Sequence, residues 1–388
     1  MVGVSFPTGD VSETGPLSGL VVADFSRVLA GPFATMMLAD LGARVIKVER
    51  PGPGDDSRGY GPFLDGRSLY FARVNRGKES VALDLKDPAD VALARAVALR
   101  ADVLVENYRP GVMERLGLGP EALLEANPRL VYCSISGFGH TGPWSQRPAY
   151  DAVVQGMSGI MAITGAEGGA PVKPGAPVAD LSAGLYAFGG ITSALLGRER
   201  TGRGCHLDVA MYDATVSLLE GAALAWLASG TDPGPIGNAH FAIAPFDTFA
   251  CRDRDITICA ANDTLFRVLV CALGVPGLAD DPRFADNAAR HDRRQELKRE
   301  LEAVLRTDDA EHWLGELDLA GVPCGPISTV AEAVGSEQAA ARRMVVHSGG
   351  LPGPGNPVKL SAYDDPVVRA AAPELDQHGE AVRAEFGG

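Results

Sequence analysis

The sequence contains no C-x-x-C pair and no H-x-x-x-H spacing. Its six cysteines (Cys133, Cys205, Cys251, Cys259, Cys271 and Cys324) are scattered, which excludes a disulfide frame and a zinc site as expectations. They read as reduced, mostly buried thiols of a cytoplasmic protein, and no metal is expected. No apolar run reaches membrane-spanning length, and a composition of 46% hydrophobic and 22% charged residues is that of a globular protein without a membrane partner. The first residues, MVGVSFPTGDVSETGP, lack a basic leader followed by an apolar stretch, so they read as a loose extension and not as a signal or transit peptide. Basic charge is also short: the net charge of −14 argues against a nucleic-acid partner. There is no internal repeat.

What is present is enough chain for two domains, 388 residues. Leu20–Phe25 is a short apolar run and reads as a buried strand; Gly31-Pro32 opens a helix to about Leu41; Ala43–Glu49 returns as a strand. This is a βαβ unit, and a parallel sheet with right-handed crossovers is its default consequence. The turn reads Ser26-Arg27-Val28-Leu29-Ala30-Gly31, not G-x-G-x-x-G, so no nicotinamide cofactor is expected. The rhythm continues with strands at 80–85, 102–106, 130–135 and 206–210, and helices at 87–100, 111–116 and 120–126. A long apolar helix is expected over Tyr212–Leu227. The Gly/Pro-rich stretch from Ser229 marks a change of character. Beyond it, 246–251 and 255–260 read as a hairpin, followed by helices near 263–273, 290–306 and 309–320.

Residues 149–203 organise the rest. Two apolar helical patterns, 151–163 and 181–198, flank a Gly/Pro-rich crossing, and Asp180 stands just before the second. One reading makes Asp180 an N-cap. The other makes it a carboxylate held where small residues admit a substrate, ionised at neutral pH at its reference pKa of about 3.9 and able to act as a nucleophile. A local excess of nine basic over six acidic residues in 41–86 leaves two readings as well, chance clustering or a small-polyanion site.

Nine segments in register resemble the class III coenzyme A transferases, the CaiB/BaiF type that includes formyl-CoA transferase, carnitine CoA-transferase and the 2-methylacyl-CoA racemases. They are DFSRVLAGP (24–32), GARVIKVERPGPGD (42–55), LDLK (83–86), ENYRPGVMERLGL (106–118), SGFGHTGP (136–143), AYD (149–151), PVADLSAG (177–184), Asn262-Asp263 and GVPCGPI (321–327). The resemblance spans nearly the whole chain. It implies an α/β fold, with a Rossmann-like large domain on a parallel sheet and a smaller α+β domain, joined by two linkers in an interlocked homodimer. The implied division is a loose extension 1–15, a large CoA-binding domain 16–203 completed by 346–388, linkers 204–245 and 326–345, and a small domain 246–325.

The resemblance further implies Asp180 as the catalytic aspartate, acting on acyl-CoA, with succinyl-CoA an expected donor, and on a small carboxylate acceptor. It places CoA against Arg27, Val28, Leu29, Ala30, Arg50, Leu83, Lys86, Asn107, Tyr108, Arg115 and Arg147, and gives the basic excess the role of neutralising ADP phosphates. Gly175, Gly184, Gly189 and Gly190 are expected to leave backbone accessible near the reacting oxygen. The loop Gly234–His240 is the nearest counterpart of the family's mobile glycine loop, and Tyr150, Gly237, Asn238 and His240 are candidates for the substrate pocket. The racemases carry a His base where this chain has Tyr150, and an unshifted tyrosine is a poor base at pH 7, which favours transfer over racemisation. A dinucleotide-dependent oxidoreductase and a non-catalytic CoA-binding protein are the readings from other classes.

Overall fold

The computed structural model describes residues 15–387, and the expected N-terminal extension lies almost wholly outside them. Strands β1 (Val21–Asp24), β2 (Arg44–Glu49), β3 (Lys78–Ala82), β4 (Val103–Glu106), β5 (Val131–Ser136) and β6 (Cys205–Ala210) form one sheet, in the order β3-β2-β1-β4-β5-β6. Every pairing in it is parallel. The parallel sheet is the one expected; its order is Rossmann-like and reverses direction between β1 and β4. Strands β1, β2, β4 and β5 are buried runs rich in β-branched residues, whereas β3 opens on Lys78 and Glu79 and β6 is a partly exposed edge.

A proline or a capping side chain marks the start of several helices. Helix α1 (Ala30–Asp40) has Pro32 in its first turn, and α2 (Leu69–Asn75) is capped by Ser68. Helix α3 (Pro88–Arg100) begins with Asp87 accepting from the Ala89 N–H at 2.8 Å. Short helices α4 (Val112–Arg115), α5 (Pro120–Ala126) and α6 (Asp151–Met157) follow, then α7 (Val178–Thr201). With 24 residues and mean hydropathy 1.2, α7 has the length and composition of a membrane span, which the reading of apolar runs did not anticipate. Ala183, Ala187, Ile191 and Leu195 recur every fourth residue and pack into the core with α1 and the sheet, so core burial accounts for that face. Leu185, Tyr186 and Leu196 lie exposed on the other.

Two compact units divide the chain: one of Met1–Ile160, Lys173–Leu218 and Val334–Gly388, the other of Met161–Val172 and Leu219–Ala333. In the first, the C-terminal helix Gly379–Phe386 buries Val382 and Phe386 beside α3, and the residues leading to it bond β3. The otherwise open edge of the sheet is thereby covered. In the second, Phe246–Ala250, Asp255–Cys259 and Cys324–Pro326 make an antiparallel sheet under three amphipathic helices. The helix expected over Tyr212–Leu227 is two, Met211–Ser217 and Glu220–Ser229, and Glu220, the first residue of the second, sits at φ 36°. The pattern expected as a helix to 163 stops at Met157.

Candidate active site

At the carboxyl ends of β1 and β4 the loops after the two strands clamp each other. The Arg27 N–H donates to Asn107 Oδ1 at 2.9 Å, and Asn107 Nδ2 donates to the Arg27 carbonyl at 2.8 Å. Ligands of open α/β sheets bind at this switch point. A cleft of about 470 Å³ opens there, walled by Arg27, Arg50, Leu83, Lys86, Tyr108 and Leu116 among others. A second cavity of about 180 Å³ is lined by Val28, Leu29, Ala30, Asn107, Arg147, Tyr150 and Asp180. Arg27, Asp56 and Tyr108 line both. Of the expected CoA contacts, Arg115 lines neither; it is exposed on α4. Gly237, Asn238 and His240 belong to the second unit. There Asn238 bonds Thr248, and His240 Nδ1 accepts from the Ala242 N–H at 3.0 Å while its ring stacks on Phe241.

The basic residues of 41–86 divide between the fold, where Arg58 also pairs with Glu49 and Arg67 bonds the Gly349 carbonyl, and the cleft, where Arg27 from the first loop joins them. Lys47, Arg76 and Lys78 are buried in ion pairs with Asp55, Asp40 and Asp24, and Arg44 binds Glu79 and Glu385, so these four are committed within the fold. Arg27 and Arg50 share Asp56 while remaining half-exposed in the cleft, and Lys86 lies beside them. Exposed pairs of this kind are weak, so an anionic ligand can exchange for Asp56 at little cost.

The buried group shapes the loop. Lys47 Nζ donates to the Ser26 carbonyl at 2.8 Å and pairs with Asp55 at 2.9 Å. Asp55 accepts from the Val28 N–H at 3.1 Å. Val28 sits at φ 66°, a left-handed conformation that a β-branched side chain rarely adopts. The neighbouring Lys47 ammonium, together with the Ser57 hydrogen bonds, holds the Asp55 carboxyl far below the usual carboxylate range although burial opposes this. A residue that sequence reasoning passed over, Glu106, completes the second loop: its Oε2 accepts from the Tyr108 N–H at 2.8 Å, and burial pushes its carboxyl up to about 7.

Asp180 is not an N-cap. Helix α7 begins at Val178, so Asp180 lies within its first turn, and Asp151 does the capping, its Oδ1 accepting from the Ala179 N–H at 3.0 Å. Among the described residues no hydrogen bond reaches the Asp180 carboxylate. Burial, reinforced by the Asp151 charge and opposed by Arg73, pushes its carboxyl up to about 7, so the full ionisation expected at neutral pH does not hold for the free chain. Tyr150 is 75% exposed and lines the same cavity, so it is not a packing residue. Of the glycines expected to leave backbone open, Gly184 and Gly190 instead permit close packing. A Cβ on Gly184 would stand 2.8 Å from the Ala30 carbonyl oxygen, and one on Gly190 2.5 Å from Leu207.

If Asp55 holds Val28 against its preference, Val28→Gly relieves the strain. It is expected to stabilise the fold by about 1 kcal/mol in denaturant titration, while CoA binds more weakly to the freed loop. Asp55→Asn leaves Lys47 without its closest carboxylate, and a loss of about 3 kcal/mol is expected. Unchanged denaturation midpoints in both variants overturn this account of the loop.

The comparisons with known proteins agree with the geometry. The profile of CoA-transferase family III matches residues 17–379. The chain is 52% identical over 380 residues to the acetyl-CoA:oxalate CoA-transferase of Acetobacter aceti, covering 98% of each. It is 40% identical over 378 residues to the succinyl-CoA:glutarate CoA-transferase of Mus musculus, covering 96% of this chain and 86% of that one. The crystal structure of a CAIB/BAIF family protein from Brucella suis superposes with a TM-score of 0.84 at 42% identity, covering 96% of this chain and 99% of that one. With a parallel sheet in Rossmann-like order and a match over nearly its whole length, the chain belongs to CoA-transferase family III and is a CoA-transferase.

Proposed function

We propose that this enzyme moves CoA from an acyl-CoA to a carboxylic acid through a covalent intermediate on Asp180. The observation that supports it most is a carboxylate without hydrogen-bond partners in the wall of a cavity that shares Arg27, Asp56 and Tyr108 with the larger cleft. CoA lies with its phosphates toward Arg27, Arg50 and Lys86, its chain against Leu83 and Tyr108, and its thioester in the smaller cavity beside Val28–Ala30. Arg147 lines that cavity, and Arg115 flanks the cleft from α4. Succinyl-CoA is the proposed donor, in keeping with the succinyl-CoA:glutarate relative.

An Asp180 oxygen attacks the thioester carbonyl; the C–S bond breaks, leaving a mixed anhydride and CoA thiolate. The thiolate attacks the Asp180 carbonyl and expels the first carboxylate, giving an aspartyl–CoA thioester. The acceptor carboxylate attacks this thioester, releasing thiolate and forming a second anhydride. Thiolate attack on the acceptor's acyl carbon then yields the new acyl-CoA and restores Asp180. Charge is conserved throughout and no proton is consumed, so burial that excludes water protects both the anhydrides and the thioester.

Intact-protein mass spectrometry after incubation with succinyl-CoA or acetyl-CoA is expected to show a CoA-sized, hydroxylamine-sensitive adduct. Peptide mapping places it on Asp180, and Asp180→Ala abolishes it. Deuterium entering a 2-methylacyl-CoA without any adduct replaces transfer by racemisation. Only the ionised carboxylate attacks, so kcat/KM for acyl-CoA falls as pH drops through about 7, where the free Asp180 titrates. Asp151→Asn removes a like charge and moves that limb to lower pH; a limb that stays in place rules out Asp151 as its cause.

We further propose an interlocked homodimer. Leu185, Tyr186 and Leu196 are exposed on α7, the helix that also buries its opposite face in the core, and Leu196 is 66% exposed. Light scattering is expected to give twice the 40.4 kDa chain mass. A Leu196→Glu variant is expected to run as a monomer, and an unaltered mass moves the interface away from α7.

A further inference from the structure

We propose that Glu106 and His140 are positioning residues for CoA, a buried acid and base that clasp together the two loops walling the Asp180 cavity. This rests on the reading of that cavity as the place of the thioester, and adds what draws its walls together.

Glu106 ends β4, and His140 lies just past β5. The loop after β4 supplies Asn107, Tyr108 and Arg109 to the cavity, and the loop after β5 supplies Gly137, Ser145 and Arg147. Glu106 and His140 line neither cavity; they stand at the stems of the two loops. Glu106 is buried and holds the first stem. Its Oε2 accepts from the Tyr108 N–H at 2.8 Å, and Ser134 of β5 hydrogen-bonds the same carboxyl. His140 belongs to the second stem. Its backbone N–H donates to Asp208 Oδ2 of β6 at 2.8 Å, and its ring meets that of His206 edge-on at 5.5 Å. His206 Nε2 lies 2.9 Å from Ser134 Oγ, so β4, β5 and β6 are joined behind the cavity.

Two features set this pair apart. Glu106 has no arginine or lysine within 4.0 Å among the described residues, and its charged neighbours Glu114 of α4 and Asp208 carry the same sign. A buried carboxylate so placed is costly unless a cation or further donor meets it. His140 Nε2 is enclosed without a hydrogen-bond partner and faces Glu106 Oε1 at 4.0 Å. An unpaired buried nitrogen is costly in turn. The acid short of a cation thus faces the base short of a partner, across a gap about 1 Å longer than a hydrogen bond.

A small approach of the loops closes that gap. Acyl-CoA touching both loops draws them together, and the bond made at their stems adds to its affinity. The effect reaches Tyr108 through its N–H, and Arg27 through Asn107, whose side chain bonds the Arg27 N–H and carbonyl. Arg27 and Tyr108 line both cavities. The pair touches no reacting atom, so it governs how tightly CoA is held and not how fast Asp180 is acylated.

Two rival roles exist. A purely structural pair stabilises the fold without affecting affinity, and a purely electrostatic Glu106 repels the anionic ligand, so that its removal tightens binding. CoA affinity by titration calorimetry, denaturation midpoint, and adduct rate at saturating acetyl-CoA separate them. The proteins compared are wild type, Glu106→Gln, His140→Leu, the double variant, and His140→Gln, which keeps an amide donor near the Nε2 position. His140→Leu is expected to weaken CoA binding roughly 10- to 100-fold, the loss of a hydrogen bond to a charged group. Glu106→Gln keeps an acceptor for the Tyr108 N–H but removes the charge, and weakens binding about 10-fold. The double variant loses no more than His140→Leu alone, and His140→Gln retains most of the affinity. Adduct rates at saturation and the midpoint of His140→Leu stay at wild-type level. Unchanged affinity with a lowered midpoint, tighter binding by Glu106→Gln, or additive losses in the double variant each overturn the clasp while leaving Asp180 in place. Absence of any adduct in the wild type brings down the nucleophile, and calorimetry still decides on the pair.

Discussion

Two buried ion pairs at the carboxyl end of the sheet, Asp24–Lys78 and Lys47–Asp55, are the constraint on which the site depends. All four side chains are essentially inaccessible. Asp24 accepts from the Ser26 N–H and from Thr35 of α1, and Lys78 reaches Asn75 of α2. The group therefore ties β1, β2, β3, α1 and α2 to the loop after β1. Burial alone would raise Asp24 and lower Lys47; Lys78 and Lys47 hold Asp24 down, and Asp55 and Asp24 hold Lys47 up. Lys78 is itself driven down to about 8 by burial, so the network is a compromise and not a reservoir of stability. What it provides is position. It keeps a valine in a left-handed conformation and fixes Arg27 against Asn107, so the mouth of the cleft is set before a ligand arrives.

A second tension lies at α7. The first turn of a helix favours a carboxylate through its free N–H groups, but Asp151 already takes those of Ala179 and Asp180. Asp180 is left with burial, a like charge and no donor of its own, which raises it toward neutrality. A carboxylate satisfied by hydrogen bonds is a poor nucleophile because those bonds must be given up before attack. The arrangement keeps the residue weakly solvated and moderately basic. Asp151, by occupying the cap, makes that possible.

The sheet was legible because each strand is a short apolar run bounded by turn residues, and the strand, helix, strand rhythm leaves few topologies. Helix α5 was legible to the residue, as Pro120 marks its start. The break at Glu220 was not, since Tyr212–Leu227 has apolar residues on all sides and no proline or glycine between its two halves. Helix α2 escaped as well: seven residues after Ser68 carry too little periodicity to register. Asp180 was legible as a candidate from its place before an apolar helix and from family resemblance. Its role at the cap was misplaced because the capping carboxylate comes from Asp151, nearly thirty residues earlier.

The absent glycine fingerprint acquires a physical meaning from the same loop. A dinucleotide site needs free backbone N–H groups after β1 and glycines that let a pyrophosphate approach the following helix. Here the Val28 N–H is already taken by Asp55, the Arg27 N–H by Asn107, and a Cβ on Gly31 would collide with Ser26. The turn is tight, yet its donors face inward. Anionic groups must then be met by side chains, and in the cleft these are Arg27 itself, Arg50 just after β2 and Lys86 after β3. One strand order can therefore serve two ligand geometries: free backbone amides draw a phosphate onto the helix axis, whereas under the proposed function occupied amides leave it to side chains at the flank and keep the helix end for the thioester. The buried charges beneath the loop, by filling those amides, decide between the two.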